Sequence, residues 1–131
     1  MSSISVSSTA ARFSQDISIR QFRLTADEPP EVGGDDAGAT PTEYVLAGLG
    51  ACKAITIKMY AERKGWPLEH VAVDVALQKT PDGSQIVAQL QLQGDLTDEQ
   101  RSRLKEIGDR CPIHKLLNAG VEIQTSLDNQ S

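Results

Sequence analysis

Two side chains in this sequence can carry redox chemistry, Cys52 and Cys111, and they lie 59 positions apart with no other cysteine in the chain. A thiol reacts as its thiolate, which a neighbouring cation or a helix N-terminus stabilises. Cys111 has the second of these. Pro112 follows it and suits the first position of a short helix, PIHKLLNA, whose free N–H groups sit next to the sulfur. Cys52 lies among small residues in Gly48-Leu49-Gly50-Ala51-Cys52-Lys53-Ala54. Alone there, a cysteine is usually a small packing residue. Both positions fall on core-facing sides of their helices, so the two sulfurs can meet. In a cytosolic chain, such a pair points to redox chemistry rather than to a permanent staple. His114 can support the same thiol or be a partly exposed helix residue. Two rival uses are thin. A zinc site from Cys52, Cys111, His70 and His114 has only one closely spaced ligand pair. A Cys-His-acid hydrolase lacks an acid placed behind either histidine.

The elements that must position these residues can be read from the pattern. Residues 42–64 form the main helix, with Thr40 or Thr42 as its cap, Pro41 in its first turn, and Gly65 and Pro67 ending it. From Tyr44 to Ile57 only Lys53 interrupts an apolar and small run. Two glycines inside a helix each cost roughly 0.5–1 kcal/mol relative to alanine, so close packing must compensate. Ala47, Gly50, Ala51 and Ala54 make a small-residue stripe that suits either the chain's own sheet or the same helix of a second copy. Val71, Val73, Val75 and Leu77, then Ile86, Ala88, Leu90 and Leu92, alternate on either side of the turn Thr80-Pro81-Asp82-Gly83, which predicts a β-hairpin with one buried face. Thr97 and Gln100 form a capping box for an amphipathic helix that Pro112 terminates. Ile17, Ile19, Phe22 and Leu24 give weaker strand signals. Residues 26–41 read as an acidic surface loop, and Val121, Ile123, Thr125 and Leu127 as a last strand.

A chain of 131 residues with 39% hydrophobic and 24% charged residues fits one soluble domain, 1–131. Aromatics are only 4%, so Val, Ile, Leu and Ala must build the core. A net charge of −5 without a basic run argues against nucleic acid. No apolar stretch is long enough for a membrane span, and MSSISVSSTAARF lacks the features of a secretory signal. The cytoplasm is the expected location.

The stretch TPTEYVLAGLGACKAITIKMYAERKGWPLE, followed by DEQRSRLKEIGDRCPIHKLL, resembles the OsmC/Ohr family of thiol peroxidases. The resemblance rests on the small-residue helix carrying Ala-Cys, the later Cys-Pro, and the hairpin between them. It implies an α+β fold in an interlocked homodimer, with long central helices against curved antiparallel sheets. It also implies that Cys52 attacks an organic hydroperoxide and becomes a sulfenic acid, that Cys111 condenses with it to a disulfide, and that a dithiol reductant, a lipoylated protein for some members, restores both. No metal or bound cofactor is implied. The family activates its thiolate with an arginine held by a glutamate, here Arg23 or Arg20 with Glu43. The better-known members carry the glutamate ten positions before the cysteine, where this chain has Thr42. Nine residues turn a straight helix by about 900°, which puts Glu43 about 180° from Cys52. Glu43 is therefore expected to serve the partner's Cys52, or the helix to bend at Gly48–Gly50. Leu49, Ile55, Met59 and Leu116 are expected to line an apolar pocket for alkyl or lipid peroxides, with the loop from Asp27 to Pro41 over it. The alternative reading is a redox-responsive or small-molecule-binding dimer without efficient turnover.

Overall fold

The computed structural model describes residues 3–128 and groups the chain into two compact units, Met1–Ala47 and Gly48–Ser131. In the first, β1 (Ser5–Ser8), β2 (Gln15–Ile19) and β3 (Phe22–Ala26) form an antiparallel sheet in that order. Ile17 pairs with Leu24 and Ile19 with Phe22. β1 carries a single apolar residue at its centre, Val6, paired with Ile17, and its pattern is too polar to be read from sequence.

The acidic stretch after β3 is an ordered loop. Asp27 is buried, and its carboxylate accepts N–H bonds from Glu28 at 2.7 Å, Ala37 at 3.1 Å and Asp35 at 3.2 Å. These bonds hold its pKa below the usual 3.8, Ala37 contributing most and burial opposing. The loop contains a 3-10 turn, Pro30–Val32, and returns to pair Ala39 with Ala26.

Helix α1 (Pro41–Lys64) begins at a reciprocal cap. The Thr40 hydroxyl accepts the Glu43 N–H at 3.2 Å, and the Glu43 carboxylate accepts the Thr40 N–H at 2.8 Å. Thr40, with Pro41 at the first helical position, wins over Thr42 as the cap.

In the second unit, β4 (Leu68–Thr80) and β5 (Gly83–Gly94) form the hairpin, in register as Val71–Leu92, Val73–Leu90, Val75–Ala88 and Leu77–Ile86. Helix α2 (Asp98–Gly108) starts at the Thr97–Gln100 capping box, and α3 (Pro112–Ala119) at Cys111. The core joins Ile57 and Ala61 of α1 to Leu104 of α2, with Trp66, Leu90 and Leu92 packed around them. The fold is thus α+β, with antiparallel sheets. One expectation fails. Residues 121–128 pair with no strand among the described residues, and Ile123 and Leu127 are 82% and 91% exposed. Alternating apolar residues supply a strand's face, but a strand also needs a neighbouring backbone edge to complete its hydrogen bonds.

Candidate functional site

The second unit brings the two cysteines together through the phase of α1. Leu49, Gly50, Lys53, Ile57 and Ala61 form its buried row. Gly50 is on that row because a methyl there would sit 3.2 Å from Val75 Cγ2, so the glycine lets α1 lie close to its own hairpin. At Gly48 an added methyl meets nothing within 4 Å. The small-residue stripe is therefore not one buried face: Ala51 is exposed and Ala54 half-buried. Cys52 stands beside the buried row and is itself half-buried.

Cys111 arrives from the other side. Helix α2 stops at Gly108, and the chain turns through Asp109 and Arg110. Cys111 then takes an extended conformation, φ −64° and ψ 148°, as the cap of α3. Its sulfur accepts the His114 N–H at 3.3 Å. The residue has no exposed surface. Both thiols are free, and Cys52 is near enough to Cys111 to perturb its thiol. Burial pushes the Cys111 thiol up. The His114 amide offsets part of this, the Cys52 neighbour adds to it, and the positive charge of Lys53 again opposes it, with a net rise above 9.0.

Lys53 is the residue that sequence reasoning missed. It is 4% exposed, and its ammonium donates to Gly108 O at 3.2 Å, Asp109 Oδ1 at 3.1 Å and His114 Nδ1 at 2.9 Å. An ammonium has no acceptor, so His114 Nδ1 must accept and the ring carries its proton on Nε2. The 3.8 Å approach of His114 Nδ1 to Asp109 Oδ1 then brings two acceptors together and is not an ion pair. Burial raises the Asp109 carboxyl, but the bonds and charges of Lys53 and then Lys105 outweigh it and hold the group below 3.8. The signal in the sequence was the single lysine in an otherwise apolar and small helical run.

An open cleft of about 860 Å³ borders this cluster, lined by Leu49, Leu90, Leu92 and Leu117 together with Lys53, Lys105, Asp109 and His114. Of the predicted apolar lining only Leu49 belongs to it. Ile55, Met59 and Leu116 are 57%, 62% and 45% exposed: the phase of α1 turns the first two away from its buried row, and α3, which carries Leu116, has no buried residue. Neither cysteine lines the cleft.

Glu43 and Arg23 lie in the first unit and are engaged there. Glu43 closes the α1 cap. The Arg23 guanidinium donates to Arg20 O at 2.9 Å and Phe22 O at 3.0 Å, holding a hairpin turn in which Arg20 has φ +53° and stacks on Phe22. His70 is exposed on β4, opposite Gln93. No group of three His, Cys, Asp or Glu side chains suited to a metal occurs among the described residues, and no described helix is long and apolar enough to cross a membrane.

The family model for OsmC-like proteins matches residues 33–126. Among solved structures, an OsmC-like protein from Mycoplasma pneumoniae is 20% identical, with a TM-score of 0.77 over 90% of this chain and 87% of that one. An organic hydroperoxide resistance protein OsmC from Legionella pneumophila is 20% identical, with a TM-score of 0.65 over 88% and 87%. OhrB of Bacillus subtilis, an organic hydroperoxide resistance protein, is 19% identical, with a TM-score of 0.59 over 88% of each chain. No curated protein matches.

Proposed function

We propose that this chain, which belongs to the OsmC family, is a cysteine-based peroxidase that reduces organic hydroperoxides to alcohols. The observation that carries the reading is the pair itself: a half-buried Cys52 near a Cys111 sealed from solvent. A peroxide needs access to the first sulfur. The second must be close, and shielding keeps it from outside oxidants.

In the proposed cycle the Cys52 thiolate attacks the terminal oxygen of ROOH. The O–O bond breaks, Cys52 becomes a sulfenic acid, and RO⁻ takes a proton and leaves as the alcohol. Cys111 then displaces the sulfenic oxygen as water, forming the Cys52–Cys111 disulfide. A dithiol, such as a lipoylated protein, reduces the disulfide by thiol exchange. No bound cofactor enters. Glu43 and Arg23 are the candidates for thiolate activation. Glu43 uses Oε1 in the α1 cap and Arg23 uses Nη1 at its turn. The protein is proposed to work in the cytoplasm as a homodimer, in which the exposed Ile55, Met59 and Leu116 find apolar cover.

The test is oxidation by stoichiometric cumene hydroperoxide, followed by thiol titration and mass spectrometry. Wild type should lose two thiols as one disulfide, and Cys111→Ser should stop at a Cys52 sulfenate. Thiols that remain reduced in excess peroxide remove the peroxidase reading. The raised Cys111 thiol favours a second reading, a redox-responsive dimer that oxidises slowly without sustained turnover. Repeated turnover with dithiothreitol as the reductant separates the two.

A further inference from the structure

Lys53 follows Cys52 directly in the chain, yet its ammonium ends among the residues that flank Cys111. Its three acceptors are Gly108 O at 3.2 Å, Asp109 Oδ1 at 3.1 Å and His114 Nδ1 at 2.9 Å. They lie three and two residues before Cys111 and three residues after it. An ammonium has three N–H groups, so this one is fully used. At 4% exposure it has almost no water to fall back on. A buried, paired lysine is seldom more stabilising than a well-packed apolar side chain. A leucine or methionine could fill the same space on α1. Neither could hold the end of α2, the side chain of Asp109 and the first turn of α3 at once.

We propose that Lys53 is a positioning residue for disulfide formation: it ties the turn at 108–114 to α1, so that Cys111 stays within reach of Cys52.

The purpose of this tie rests on the thiol chemistry proposed above. The step it serves is Cys52–SOH + Cys111–SH → Cys52–S–S–Cys111 + H₂O. The Cys111 sulfur attacks the Cys52 sulfur, the S–S bond forms as the S–O bond breaks, and the departing hydroxide takes up the proton that Cys111 releases. No further oxidant is needed. Lys53 touches neither reacting bond. It acts through where it holds the turn, and its positive charge beside Cys111 works in the same direction by favouring the thiolate.

Gly108 completes the arrangement. Its carbonyl also accepts the Cys111 N–H, at 3.4 Å, so the atom that Lys53 grips is bonded to the cysteine's own backbone. Lys105 reaches the other oxygen of Asp109, at 3.5 Å, and is largely exposed. It cannot replace Lys53 at Gly108 or His114.

The experiment uses the full chain as wild type, Lys53→Met, Lys53→Arg and His114→Ala. Each protein is equilibrated with glutathione redox buffers to obtain the effective concentration of the Cys52–Cys111 pair, a readout that needs no peroxidase activity. In parallel, each is oxidised with cumene hydroperoxide in the presence of dimedone, which traps sulfenate before it is resolved. Lys53→Met should lower the effective concentration by about 10- to 100-fold, the usual consequence of a misplacement near 1 Å. It should also raise the dimedone-trapped fraction. Lys53→Arg, which keeps the donors and the charge, should recover most of the loss. A merely structural role for the stem would give no such rescue. His114→Ala removes one acceptor but keeps the backbone N–H that caps α3. It should show a smaller fall, and it decides the question if Lys53→Met does not fold. Wild-type effective concentrations in Lys53→Met, or in His114→Ala where the first variant is unfolded, overturn the proposal. If wild type forms the disulfide in glutathione but does not react with peroxide, the peroxidase reading fails while the lysine's role is still measured.

Discussion

A methyl group at Gly108 would land 3.0 Å from Ile57 Cδ1, 3.4 Å from Ile57 Cγ1 and 4.0 Å from Leu90 Cδ1. Gly108 is buried at the last position of α2, and Ile57 has no exposed surface, so neither can retreat into solvent. Overpacking of this kind costs about 1–3 kcal/mol. Alanine returns at most about 1 kcal/mol of helix propensity, leaving Gly108→Ala destabilised by about 0–2 kcal/mol. The closest atom is Ile57 Cδ1, the one that Ile57→Val deletes. That substitution alone costs about 0.5–1.5 kcal/mol. In the double variant the new methyl occupies the space just vacated. The two effects should therefore fail to add, with the double variant more stable than the sum by about 1 kcal/mol. For a chain of this size 1 kcal/mol corresponds to about 3–4 °C in Tm, which thermal unfolding followed by circular dichroism resolves for all four proteins. Additivity within about 0.5 kcal/mol would refute the packing argument, and with it the idea that glycine at 108 is what lets α2 end against α1.

Other consequences can be checked directly. Asp27 has a depressed pKa, so its hold on the loop should be complete above about pH 3.8 and be lost as the pH falls through its lower folded value. Amide exchange at Asp35 and Ala37 should accelerate in that range in wild type, and Asp27→Asn should abolish the transition. Thr40→Ala should cost about 0.5–2 kcal/mol through loss of the α1 cap. Glu43→Gln keeps an acceptor for the Thr40 N–H and should melt within about 0.5 kcal/mol of wild type, as an uncharged-for-charged surface change does. If Glu43 also activates a thiolate, that variant alone should lose peroxide reactivity at unchanged stability. The Tyr60 hydroxyl accepts a bond from Arg103 Nε at 3.2 Å, which, aided by nearby positive charges, draws its pKa below 10.0. Spectrophotometric titration should find the phenol returning toward 10.0 in Arg103→Gln, and an unmoved midpoint would contradict the assigned bond.

Much of this protein was legible because its elements announce their own ends. Thr40-Pro41, Thr97 with Gln100, and Cys111-Pro112 start helices by local hydrogen bonding. Alternation around Thr80-Pro81-Asp82-Gly83 specifies a register with no help from elsewhere. The inward face of Cys111 was visible for the same reason, since helical phase is a local property, whereas Cys52 stands half-buried beside the buried row. What stayed hidden depends on partners distant in sequence. Val6 in β1 is a single apolar residue whose strand exists only through β2. The last apolar alternation met the opposite fate, having the pattern without an edge. Asp27 reads as one more surface acid until the amides of Asp35 and Ala37 fold back onto it. Lys53 reads as a break in an apolar face because its partners lie 55 to 61 positions away.

The loop around Asp27 also sets rules for how this segment can diverge. Its shape comes from backbone amides gathered on one carboxylate, with little packing to support it. A side chain at Gly34 would collide with the Glu28 carbonyl, and one at Gly38 with the Thr25 carbonyl. Both glycines are therefore locked to the same geometry as Asp27. Glu31 and Ala39, by contrast, face solvent. Substitutions should accumulate at those exposed positions over time, while Asp27, Gly34 and Gly38 change together or not at all. A library randomised across residues 27–39 and selected only for folding should return that signature together with glycine at 33, where φ is +97°, and tolerate more at the exposed positions.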